Sequence, residues 1–239
     1  MDDRPTLRHP CTMFVWITNA WAFQLEGHRV LTERAIALER SACPALAEWS
    51  SVLIGANLAE DLNLAVKWGR HSHYYRPVGA VDTGWRSTSE VRVEGLAAEL
   101  DAALEAGNIG AAWGELGRIL HHVQDMASPS HVVPVKHGLD DPFESRELTG
   151  LTGQRALPEA TDPLGAHHAL ALETWERVTS EVELAAYWVV EGEGFGAYGE
   201  SGVQGGGAPF EALHAVQAEA ALAYTRAVLR AEGGPMCGP

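Results

Sequence analysis

The stretch LHHVQDMASPSHV, residues 120–132, sets three histidines and an aspartate at the end of an otherwise apolar helical segment. Residues 109–127 read as one amphipathic helix, and Pro129 ends it. His121 and Asp125 are four apart and so leave the helix from one face. An imidazole and a carboxylate at that spacing can chelate a borderline metal such as zinc. An isolated pair of this kind is more often a plain hydrogen bond on a helix surface. Here the turn at Pro129 can bring His131 back to the same place, which shifts the balance toward a metal. His122 sits about 100° round the helix and reads as a bystander.

The rest of the chain agrees with a helical setting. Apolar residues recur at helical spacing over 27–40, 45–66, 88–106 and 209–231. Asp162-Pro163 supplies a cap and a first-turn proline for a further long helix that runs through Val190. Residues 191–208 hold eight glycines and read as a flexible loop or lid. No stretch alternates in the manner of a strand, and no internal repeat is present. The expected class is all-α, a single-domain helical bundle.

At 239 residues one domain with a sizeable core is expected. The formal net charge is −15, which would repel a phosphate backbone and argues against a long nucleic-acid partner. No apolar run approaches the ~18–20 residues of a membrane span. The amino-terminal CTMFVWIT is apolar and is followed by Ala20-Trp21-Ala22, a small-x-small pattern before Phe23. Residues 1–22 therefore read as a secretory signal, with 23–239 as the mature chain. The alternative is an ordinary buried first segment. Cleavage would remove Cys11 and leave Cys43 and Cys237, which could form one disulfide or remain two thiols.

LGRILHHVQDMASPSH resembles the H-x-x-x-D-x-x-x-P-x-H signature of the zinc-dependent phospholipase C and S1/P1 nuclease superfamily. The resemblance implies an all-helical fold of that type and up to three zinc ions that cleave phosphate esters. It implies a first ligand from the backbone amine and carbonyl of the mature amino-terminal residue, here Phe23, with His28 five residues on. An aspartate at the end of the second helix follows, matched by Asp61 with Glu60 as the neighbouring alternative. A histidine in an HYYRP-like segment is matched by His73, with His71 as the lesser choice.

After the central motif the family places a histidine and an acid four apart, whereas His137 and Glu144 here stand seven apart. Asp140 or Asp141 could replace either, and Asp141-Pro142-Phe143-Glu144 also reads as a capping arrangement. The implied ligand set is Phe23, His28, Asp61, His73, His121, Asp125, His131, His137 and Glu144. In it Asp125 bridges two metals and Asp61 also orients the attacking water. His167, His168 and His214 have no counterpart and read as surface or supporting residues. Trp68, Tyr74 and Tyr75 either line a substrate pocket or belong to the core.

The implied activity is zinc-dependent phosphodiester hydrolysis, with a phospholipid headgroup ester favoured by the acidic balance. A single-strand nuclease, or a zinc-binding helical domain without turnover, is the alternative. Transient contact with a membrane surface, a monomeric state and a secreted or periplasmic location follow from the same reading.

Overall fold

The computed structural model describes residues 24–63, 73–79, 88–133, 135, 141–197 and 206–237. Eight α-helices occur among them: α1 Gln24–Glu39, α2 Ala45–Leu62, α3 Ser89–Glu105, α4 Ile109–Asp125, α5 Pro129–Val132, α6 Pro163–Ser180, α7 Val182–Ala185 and α8 Ala208–Gly233. The fold is all-α, as the helical periodicity predicts.

Helix α4 is the axis of the bundle. It packs on α2, α3, α6 and α8, and α1 closes over α2 and α8. From Leu116 to Asp125 every residue of α4 is buried except Arg118. Close approach to α2 is set by Gly117, where an added Cβ would lie 2.3 Å from the Leu53 carbonyl oxygen. At Gly107 the chain takes φ +69°, ending α3, and Asn108 caps α4 by accepting from the Ala111 N–H at 3.2 Å.

The carboxyl-terminal end of α4 is buried, so its last carbonyls need side-chain donors. Thr174 Oγ1 donates to the Met126 carbonyl at 2.6 Å, and Gln217 Nε2 to that of Ala127 at 3.1 Å. The helix stops at Asp125, short of the expected Ala127. Pro129 does not end it directly but starts α5 at its first position, which holds Ser128 in an extended conformation (φ −85°, ψ 122°). The resulting bend turns His131 back under α4.

The long helix expected through Val190 divides. Asp162 and Pro163 open α6 as expected, with Asp162 accepting from the Gly165 N–H at 2.8 Å. The Thr179 and Ser180 hydroxyls then bond back to carbonyls of their own turn, and Glu181 is extended (φ −125°, ψ 123°). The glycine-rich segment does not begin as a loop. Val189–Val190 and Gly194–Phe195 pair as an antiparallel hairpin, β1 and β2, turned at Gly192 (φ +81°). The expectation of a lid over 191–208 falls partly on residues 198–205, outside the described residues.

Cys43, after α1, and Cys237, after α8, form a disulfide. It ties together helix pairs that already pack, and closes a span of 194 residues. No described helix is long and apolar enough to cross a membrane. The signal-peptide reading of residues 1–22 lies outside the described residues.

A candidate metal centre at the end of the central helix

Five elements converge below α4. The first turns of α1 bring His28, the end of α2 brings Asp61, and the segment after it brings His73. α4 itself contributes His121 and Asp125, and α5 contributes His131. The turn after Asp141 contributes Glu144. All seven residues are at most 5% exposed. Phe23 and His137, the other two expected ligands, lie outside the described residues, as do Trp68, His71 and Asp140.

Asp125 is the hub. Its Oδ1 lies 3.3 Å from His28 Nε2, and its Oδ2 lies 2.8 Å from His73 Nδ1 and 3.4 Å from His121 Nε2. His121 Nε2 is also 3.2 Å from His73 Nδ1 and 4.0 Å from Asp61 Oδ1. Ligand atoms of a tetrahedral zinc, each about 2.0–2.2 Å from the ion, stand about 3.3–3.5 Å apart. The separations of Asp125 from His28 and His121 are of that size, and the shorter contact to His73 is a hydrogen bond an ion would open, so the donor set fits a metal ion. Three overlapping triads bring their ligand atoms within 4.8 Å of one another: His28–His121–Asp125, Asp61–His73–His121 and His73–His122–Asp125.

The electrostatics set an ionised carboxylate among buried imidazoles. Burial opposes ionisation of Asp125, but His121 and His131, with hydrogen bonds from His28 and His73, hold its carboxyl well below the usual carboxylate range. Burial pushes His121 well below its ordinary value against the pull of Asp125, with His28, His73 and His122 acting in the same direction as burial. A neutral His121 beside an ionised Asp125 is the state that binds metal.

His131 is held by two bonds to the His73 segment. Its Nδ1 donates to the His73 carbonyl at 2.7 Å, and its own carbonyl accepts from the Tyr75 N–H at 3.0 Å. The donor role of Nδ1 leaves Nε2 facing Glu144 Oε1 at 2.8 Å. Burial would lower this imidazole, but Asp125 and Glu144 raise it to about 10, so a proton sits where a metal could replace it.

In the Asp141–Glu144 segment the two acids take different partners. Asp141 Oδ1 accepts from the Phe143 and Glu144 N–H groups at 2.8 and 3.3 Å, while its Oδ2 accepts from Ser130 Oγ at 2.8 Å. Phe143 is buried against Trp188 and Phe210, anchoring the turn. Glu144 does not reach back as a capping box requires. It turns instead to His131 and accepts from Ser128 Oγ at 2.7 Å.

Glu60 is buried but faces away from Asp61's partners, taking Arg92 Nε at 2.6 Å and His122 Nε2 at 3.2 Å. His122 is therefore not a surface bystander. It is fully buried, with Nδ1 3.3 Å from Ser89 Oγ, which in turn meets His167 Nε2 at 2.8 Å. Ser89, His122 and Glu60 stand in the order of a nucleophilic triad, but the Ser89 side chain is wholly buried. His167 and His214 are also buried rather than surface residues, whereas His168 is exposed and takes the Tyr75 hydroxyl at 2.6 Å. One signal could have shown that His122 is buried: from Ile119 to Asp125 the helix is enclosed on every side.

Comparison with protein-family models, curated proteins and solved structures gives no match.

Proposed function

We propose that the chain is a zinc-dependent phosphodiester hydrolase of the phospholipase C type, acting on a phospholipid headgroup ester. What supports the reading is the convergence of His28, His73 and His121 on Asp125, with Asp61 beside His121, from four separate segments and at 2.8–4.0 Å. Zinc, when bound, supplies a Lewis acid for phosphoryl oxygens and a water acidified toward ~7. The side chains then divide the work. Asp125 offers one oxygen toward His28 and the other toward His73 and His121, so one carboxylate can serve two sites. Asp61 stands beside His121 as a ligand that can also orient the attacking water and take its proton. His131 and Glu144 face one another as the core of a further site. Phe23 and His137 complete the set in this reading.

The charge of −15 disfavours a polyanionic strand and leaves a headgroup ester as the preferred substrate. The disulfide suits an oxidising compartment, secreted or periplasmic. The test is hydrolysis of a chromogenic phosphocholine ester and of single-stranded DNA by zinc-loaded protein, with and without a chelator. Chelator-sensitive turnover of the ester supports the proposal, and cleavage of the DNA alone replaces it with a nuclease. Stoichiometric zinc without turnover of either substrate makes the centre structural.

A further inference from the structure

Gln124 precedes Asp125 on α4, is fully buried, and has no part in the chemistry above. Its amide is nevertheless contacted from three other helices. Nε2 donates to Thr32 Oγ1 of α1 at 3.0 Å and to Thr225 Oγ1 of α8 at 3.3 Å. Oε1 meets His28 Nδ1 of α1 at 2.7 Å and Asn57 Nδ2 of α2 at 3.3 Å. All five residues are fully buried.

The orientation of this amide is determined by one proton. A threonine hydroxyl has a single hydrogen, and that of Thr225 goes to the Ala221 carbonyl one turn earlier, at 2.7 Å. Thr225 Oγ1 can then only accept from Gln124, so the Gln124 NH₂ must face it. The carbonyl end is thereby turned to His28. An amide oxygen accepts and never donates, so His28 Nδ1 carries the hydrogen. The neutral ring then presents a lone pair at Nε2, 3.3 Å from Asp125 Oδ1. Burial opposes a second proton on the ring, but in the metal-free protein one on Nε2 can bridge to Asp125, which raises the ring's pKa, and a metal ion would take that proton's place. Reversing the amide would place a donor against Nδ1, move the ring hydrogen to Nε2 and remove the ligand atom.

We propose that Gln124 is a positioning residue: oriented by Thr225, it keeps the hydrogen of neutral His28 on Nδ1 and so presents Nε2 as a metal ligand. The inference rests on the metal-centre reading for its purpose, and its mechanism can be measured without metal.

The experiment uses full-length protein labelled with ¹⁵N-histidine, as wild type, Thr225→Val, Thr225→Ser and Gln124→Leu. Long-range ¹H–¹⁵N correlation of the metal-free protein, at a pH where His28 is neutral, reads the tautomer. Competition with a chromophoric chelator reads zinc affinity. The expected result is the Nδ1–H form in wild type and Thr225→Ser. Thr225→Val, which puts a methyl in place of the hydroxyl, is expected to shift His28 toward Nε2–H and to weaken one zinc site about 10–100-fold, with Gln124→Leu doing the same. Weaker zinc binding with the tautomer unchanged, or no change in either, overturns the proposal. If Gln124→Leu does not fold, Thr225→Val alone decides. Wild-type protein that takes up no zinc overturns the purpose assigned to the tautomer, while the Thr225→Val spectrum still decides whether Gln124 sets it.

Discussion

Glu60 and Asp61 are consecutive residues at the end of α2, both buried, and they serve different partners. Glu60 is tied to Arg92 and His122, while Asp61 faces His121 at 4.0 Å. Glu60→Gln removes the buried carboxylate to which Arg92 and His122 both bond and is expected to lower stability by about 2–4 kcal/mol. Its zinc content at saturation should stay that of wild type. Asp61→Asn should do the reverse, losing zinc affinity by about 100-fold or more with a smaller change in unfolding midpoint. Denaturant titration and metal analysis of the two variants side by side check the separation. If both lose metal equally, the division of labour is wrong.

Asp125→Asn tests the hub. The amide cannot serve two sites, so the variant should retain fewer ions than wild type after dialysis and lose turnover by at least about 100-fold. Full zinc occupancy in this variant would move the bridging role to another residue.

His167 gives a pH signature independent of any ligand role. Its ring is wholly buried, and burial pushes its pKa down to about 3. Because the folded value is depressed, the unfolded chain takes up the proton first, at about pH 6.5. Stability from this group is present above that pH and is lost as pH falls toward 3, by about 1.4 kcal/mol per pH unit. His131 acts with the opposite sign: its contribution is full below about pH 6.5 and lost as pH rises through about 10. His167→Gln should therefore flatten the acid limb of a stability–pH curve of chelator-treated protein and leave the alkaline limb unchanged. An acid limb as steep as wild type would show that other groups carry it.

Replacing Cys43 and Cys237 together by serine should lower unfolding stability by about 2–5 kcal/mol, as for other native disulfides. The two sulfurs lie in the segments after α1 and α8, away from the side chains that converge on Asp125, so zinc stoichiometry in the folded variant should be unchanged. Thermal unfolding with matched metal analysis checks both halves.

Much of the site is readable from residues 120–132, because His121, Asp125 and His131 are linked by one helix period and one proline. His28, Asp61, His73 and Glu144 needed the order of a known motif, since nothing in their local sequence distinguishes a ligand from a solvated helix end or loop. His122, a quarter-turn from His121, is nevertheless buried, for a physical reason. A rotation of 100° leads to the surface only on a helix that has one, and α4 is surrounded at this level. The break after Ser180 was hidden because Val182, Leu184 and Trp188 keep an apolar pattern going after the Thr179 and Ser180 hydroxyls have diverted the backbone. Gln124 carried no signal at all: its role depends on a threonine 101 residues away.

The bond between Cys43 and Cys237 makes the stretch between them, topologically, a ring, with α1 outside it. Nearly every helix, and every described residue that converges on Asp125 except His28, lies on that ring. A single protease cut between residues 44 and 236 therefore opens the ring but releases nothing. Cleavage at the exposed hairpin turn Glu191–Glu193 would leave one covalent species on a non-reducing gel and two on a reducing one. The two pieces would stay tethered, so that a nicked molecule remains unimolecular and can reassemble without having to find its other half.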